Sequence, residues 1–201
     1  MAIKFQYNKT SLQEMNKQLD MRVRALPTIK NKESALRLEV KKAKDDAERV
    51  QEKLNEKIAR HDYLARLWGE FDPEIVKISS VDHAVKKIAG VNTPVLKKVS
   101  FDITPFSLFN QPGWLPDGLT ILREVASLSI EQDFYVRKMI LLDEARKRTT
   151  QKVNLYEKVQ IPAFQEAIRK IKRFLEDEEN LSKSSQKIVK KRQQEAEEVP
   201  A

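Results

Sequence analysis

The chain has 201 residues and a net charge of +8; 34 % of its residues are charged and only 7 % are aromatic. That balance argues against an ordinary globule with a broad apolar core. The absence of Cys excludes disulfides, thiolate metal sites and cysteine nucleophiles, and fits a reducing compartment. No apolar run approaches about 18 residues, so no bilayer span and no direct membrane insertion are expected. The first residues lack the apolar h-region of a secretory signal. The expectation is a soluble, cytoplasmic protein.

Residues 2–7 read as a short extended lead. Asn8, Thr10 or Ser11 can cap a helix, because each side-chain oxygen can accept from a free N–H of the first turn. With Ser11 as the cap, Glu14 completes a capping box. Apolar positions then recur at Leu12, Met15, Leu19, Val23 and Leu26, and after a slip at Leu36, Val40, Ala43, Ala47, Val50, Leu54 and Ile58. The slip holds Pro27, which removes a backbone donor, so a kink is expected there. The spacing predicts one helix to about Trp68, stopped by Gly69.

Residues 69–118 differ in kind: all four Gly and five of the eight Pro lie there. Val81 to Ile88 and Val95 to Ile103 read as the strands of a β-hairpin, with Ala89-Gly90-Val91-Asn92 as the turn and Lys97 interrupting the alternation. Phe106, Leu108, Phe109, Trp114 and Leu115 are expected to pack a small head. A last long helix is predicted from Asp117 or Thr120 to about Arg192, with a kink at Pro162. Its apolar seam, Ile161, Phe164, Ile168, Ile171 and Leu175, steps 3, 4, 3, 4. So narrow a seam needs one long partner helix, and the N-terminal helix supplies it.

The fold class expected is therefore mainly α: a long antiparallel coiled coil of the N- and C-terminal helices (1–68 and 119–201) and a small middle head with a β-hairpin (69–118). Setting Trp68 opposite Leu122 makes facing residues sum to about 190 and places Pro27 opposite residue 163, beside Pro162.

Few motifs carry chemistry. The four glycines are too scattered for a phosphate loop. His61 and His83 lie in different elements and lack ligand spacing, so no metal is expected. The carboxylates sit on exposed helices, and nothing in the pattern creates the dry pocket a general acid needs. No catalytic residue and no cofactor are assigned. Basic clusters occur at residues 41–44, 146–148, 169–173 and 190–192, without interleaved aromatics for base stacking, so nucleic acid is not the expected partner. These residues describe a non-enzymatic helical pair with a head.

One string adds specificity. Val153-Asn154-Leu155-Tyr156-Glu157 followed by Ile161-Pro162 resembles the Val-Asn-…-Glu-…-Ile-Pro signature of the D subunits of V-type and archaeal-type rotary ATPases. The likeness runs on through Ile168, Ile171, Phe174 and Leu175. Ile88-Ala89-Gly90-Val91-Asn92-Thr93-Pro94-Val95 resembles that family's hairpin, and Asn8 to Leu12 and Ile29 to Glu33 resemble its first helix more loosely. Pro27 and the Leu155-Tyr156 pair point to a prokaryotic version.

The resemblance implies a central rotor shaft. Its partners would be the catalytic A and B subunits, the F subunit of the rotor and the socket-like C subunit (d in some nomenclatures), with ATP handled by the A/B sites. It would sit in the soluble sector, peripheral to the membrane. On that reading Arg169, Lys170, Lys172 and Arg173 meet acidic groups of the hexamer wall. Ile88, Gly90, Val91, Pro94 and Val95 meet neighbouring rotor subunits. The competing classes are a coiled-coil adaptor without a motor and a nucleic-acid-binding helical hairpin. An F-type shaft is disfavoured by the small middle segment.

Overall fold

The computed structural model describes residues 3–64, 66–107, 109 and 111–197. It is mainly helical. Helix α1 spans Lys9–Arg60, strands β1 and β2 span Val76–Ile88 and Val91–Ile103, and helix α2 spans Leu115–Asn154. A π-helical segment, Leu155–Gln160, joins α2 to helix α3, Ile161–Glu197. The chain divides into two compact units: Met1–Asn31 with Thr150–Ala201, and Lys32–Thr149.

In the first unit, α1 starts two residues earlier than Ser11. Asn8 is the cap: its Oδ1 accepts from the Ser11 N–H at 2.7 Å, while the Ser11 hydroxyl takes the Gln6 N–H at 3.3 Å. The seam read from spacing is real. Met15 of α1 packs with Phe164, Ile168 and Ile171 of α3, and Ile3, Phe5, Leu12, Leu19 and Leu175 close around them. Burying each such side chain contributes about 1.5–3 kcal/mol, and the flanking face is left to charges. Tyr7 of the lead meets Phe174, ring centroids 4.9 Å apart.

The register differs from the expected one. Tyr7 meets Phe174, Arg22 meets Gln160 and Lys30 meets Glu157. These pairs sum to 181, 182 and 187 rather than 190, so Pro27 lies opposite the π-helical segment and not opposite residue 163. The shift arises because Met15 seats among Phe164, Ile168 and Ile171, and that apolar fit outweighs the alignment of the two prolines. Helix α1 runs through Pro27 without ending. The irregularity expected at Pro162 lies one turn earlier, as the π turn.

In the second unit, α1 ends at Arg60, not Trp68. Its last buried seam residue is Leu54, and His61, Asp62 and Tyr63 are weak helix formers. Three short 3-10 turns follow, Asp62–Leu64, Leu67–Glu70 and Pro73–Ile75. The hairpin is longer and tighter than its sequence pattern suggests. Each strand has 13 residues, and the turn is only Ala89-Gly90, both at positive φ (48° and 82°), so Val91 and Asn92 belong to β2. Lys97 interrupts the alternation because it is the extra residue of a bulge between the Asp82–Lys98 and His83–Leu96 pairs; Ser79 does the same between Ile78–Phe101 and Ser80–Ser100.

Helix α2 starts at Leu115, where Pro116 and Asp117 suit a first turn. Leu115 and Leu119 bury against Ile75, with Phe71, Val76 and Phe106 around them. Trp68 and Trp114 meet edge to face at 5.5 Å. Phe109 does not join this packing and is fully exposed; Leu108 lies outside the described residues. A further cluster joins Leu36 and Ala43 of α1, Leu142 of α2 and the hairpin tip at Ile88, Ala89 and Val91.

Candidate functional site

No group of three or more His, Cys, Asp or Glu side chains among the described residues could hold a metal ion. No helix among them is long and apolar enough to cross a membrane. The carboxylates whose ionisation is displaced all move one way. Glu124 is held low by Lys57, Asp143 by Lys147 and Arg146, Glu166 by Lys170, and Glu179 by Lys183. Each is stabilised in its charged form, the reverse of what a general acid needs. Two exposed surfaces hold the residues singled out in the sequence.

The first surface is on α3. Phe164, Ala167, Ile168 and Ile171 turn inward, so Arg169, Lys170, Lys172 and Arg173 all emerge on the exposed side. Helical spacing puts Arg169, Lys172 and Arg173 on one stripe, with Lys170 on its flank. Among the described residues only Lys170 of the four forms an ion pair, with Glu166 at 2.9 Å. Glu176 and Asp177 border the shallow groove that Arg169, Lys172 and Arg173 line. The stripe is basic with an acidic edge.

The second surface is the flank of the hairpin. Ile88 and Val91 are half-buried and serve the Leu36–Leu142 cluster, so their first role is packing. Gly90 is exposed at the tip, Pro94 is half-buried and Val95 is exposed. Ile88, Pro94 and Val95 share a groove of about 480 Å³ with Lys86, Phe134 and Tyr135. Burial there, followed by the nearby Glu131, pushes the Tyr135 phenol up. Sequence reasoning passed over Thr93, which is fully buried and donates from Oγ1 to the Lys86 carbonyl at 2.8 Å. It lies two residues from Val91 in the regularly paired stretch next to the turn, and so shares the side of the strand that faces the Leu36–Leu142 cluster.

The remaining candidates of α3 differ in burial. Ile161 is half-buried, Pro162 is exposed and Leu175 borders the Phe164–Ile168–Ile171 cluster. Two cross-helix ties had no signal in the sequence. Arg22 stacks on Phe164 at 4.4 Å while its Nε donates to Gln160 Oε1 at 2.7 Å, and Lys57 pairs with Glu124.

The family model for the D subunit of ATP synthase matches residues 11–191. Among curated relatives, the V-type ATP synthase D subunit of Borreliella burgdorferi is 28 % identical over 191 residues, covering 93 % of this chain and 94 % of its own. That of Chlamydia trachomatis serovar L2 is 27 % identical over 197 residues, covering 96 % and 97 %. The Chlamydia pneumoniae protein of the same name is 26 % identical, covering 96 % and 94 %.

Proposed function

The chain belongs to the ATP synthase D-subunit family, and on that premise we propose that it is the central stalk, or rotor shaft, of a V/A-type ATPase. In this reading it transmits torque between the hexamer of catalytic A and B subunits and the membrane ring that moves ions. It is a non-catalytic part of a complex whose A/B sites handle ATP. The observation that carries the reading is the match over nearly the whole chain to relatives named as V-type ATP synthase D subunits.

The physics supports it. A shaft must turn against its bearing, so its outward side chains should be solvated rather than sticky; the faces of α1 and α3 away from their seam are mostly charged. A shaft must also present different faces to equivalent sites, so that they adopt different conformations. Two unlike helices side by side have no rotational symmetry and do this automatically.

The partners of this reading are the A and B subunits of the hexamer, the F subunit of the rotor and the socket-like C subunit. Arg169, Lys170, Lys172 and Arg173 face acidic groups of the hexamer wall, and the hairpin flank at Pro94 and Val95 meets a neighbouring rotor component. A tagged copy recovered from native membranes, with its companions identified by mass spectrometry, tests the whole. Recovery of the A, B, F and C subunits together is the expected result. Recovery of none, with the chain folded, would return it to the adaptor class; steeply salt-dependent DNA binding would favour the nucleic-acid reading. Reversing the four basic residues to Glu should impair assembly or coupling, and unchanged ATP-driven rotation would remove the stripe from the interface. Val95→Glu tests the hairpin flank without touching the core, and native assembly would count against its role.

A further inference from the structure

Three observations coincide at one level of the first unit. Pro27 has no N–H, so the Val23 carbonyl of α1 lacks its helical donor. Pro162 likewise leaves the Lys158 carbonyl without one. The backbone opens there into the π segment, where the Ile161 N–H reaches back five residues to the Tyr156 carbonyl. Packing is thin at the same place. No residue of α1 between Met15 and Leu36 is buried, and none between Leu142 and Phe164. Two polar ties cross between the helices there: Arg22 to Gln160 at 2.7 Å and Lys30 to Glu157 at 2.7 Å. These two ties bracket Pro27 on one helix and both end in the π segment on the other.

We propose that Pro27 and the segment Leu155–Gln160 form a compliant joint, a short stretch where both helices of the pair can twist and stretch while Arg22 and Lys30 keep them in register. Backbone hydrogen bonds missing at one height on both helices lower the cost of deformation there. Apolar burial, which would resist sliding, is thinner there, Leu26, Ile29, Val153 and Tyr156 being only half-buried, and long polar side chains that can follow a moving partner supplement it. Arg22 is the stronger tie, because its guanidinium also stacks on Phe164 and holds the Gln18 carbonyl at 2.9 Å. Its anchoring in the Phe164 cluster sets one end of the joint.

The use of such a joint rests on the stalk reading: a shaft driven in steps at one end and turned at the other needs a place to store twist. The joint itself is a property of the isolated chain and is tested on it. In amide hydrogen exchange of the full chain, residues 155–161 should exchange roughly tenfold or more faster than residues 165–172 of the same helix. Pro162→Ala, which restores a donor, should slow the segment several-fold. Arg22→Ala should speed residues 155–161 further and leave residues 165–172 within about twofold of the parent. Equal exchange of the segment and its flank in the parent chain would overturn the joint, whatever complex the chain enters. Pro162→Ala with no effect on exchange would overturn the part assigned to the proline.

Discussion

Trp114 lies directly beneath Gly118: a Cβ built at residue 118 would sit 2.6 Å from Trp114 Cζ3, with Trp68 Cη2 3.6 Å away. This close approach lets the first turn of α2 rest on both tryptophans of the chain. Gly118→Ala would force the indole aside. The helix-propensity gain of up to about 1 kcal/mol is smaller than an overpacking cost of about 1–3 kcal/mol, so the net effect should be destabilising. Tryptophan emission reads it out, since Trp68 and Trp114 are the only two reporters. A variant with unchanged emission and unchanged unfolding midpoint would mean that the ring yields freely.

Gly90 is the second position where glycine is required, for a different reason. Its φ is +82°, and the nearest atom a Cβ would meet is the flexible end of Lys32, 3.3 Å away. Space is therefore the lesser constraint and backbone strain the greater. Gly90→Ala should cost about 1–2 kcal/mol, whereas Gly90→Asn, which tolerates the left-handed region, should cost less. Urea unfolding of the two variants separates strain from crowding: similar losses would make the Lys32 contact the cause.

The seam and the hairpin were both readable because period and turn chemistry are local. The 3-4 spacing of Phe164, Ile168 and Ile171 and the turn at Ala89-Gly90 need no tertiary information. The register was not readable, because sliding the pair by two turns keeps a heptad pattern almost intact; only the fit of Met15 among three α3 side chains decides it. The end of α1 was misjudged because Gly69 is a stronger stop signal than the gradual loss of apolar positions after Leu54. Lys97 showed as a fault in the alternation, yet one sequence does not reveal that the fault is a bulge. Arg169 to Arg173 could be placed on the exposed side from the seam alone. That Ile88 and Val91 pack inward could not, since nothing local says which helices the hairpin tip meets.

Leu142 and Leu181 show how little composition says about a leucine's role. Leu142 is fully buried between Leu36 and Ala43, and Leu181 is 70 % exposed on α3. Leu142→Ala should lose about 2–5 kcal/mol, the transfer term plus the cavity left behind. Leu181→Ala should stay within about 0.5 kcal/mol. Thermal unfolding of the single variants measures both. If Leu181→Ala leaves the isolated chain unaltered yet weakens recovery of partner subunits, that residue contacts a partner.

Asp143 sets the response to acid of the turn beside Leu142. Lys147 lies 3.0 Å from its Oδ2, and Arg146 donates to Oδ1 at 2.9 Å. The bond from Lys147, then that from Arg146, holds the carboxyl below its ordinary range, against a smaller opposing effect of burial. A carboxylate whose folded pKa is depressed binds fewer protons in the folded state. Its contribution is therefore fully present above the unfolded value of about 4 and is lost as pH falls through the folded value. Asp143→Asn should lower the unfolding midpoint at pH 7, and the gap between parent and variant should close as the pH is taken below about 4. Glu124, Glu166 and Glu179 are displaced in the same direction by their lysines, so the variant keeps an acid limb of its own. The informative quantity is the difference between the two curves. A gap that stays constant to about pH 2 would mean that the Asp143 charge does not stabilise the fold and that the loss comes from altered packing.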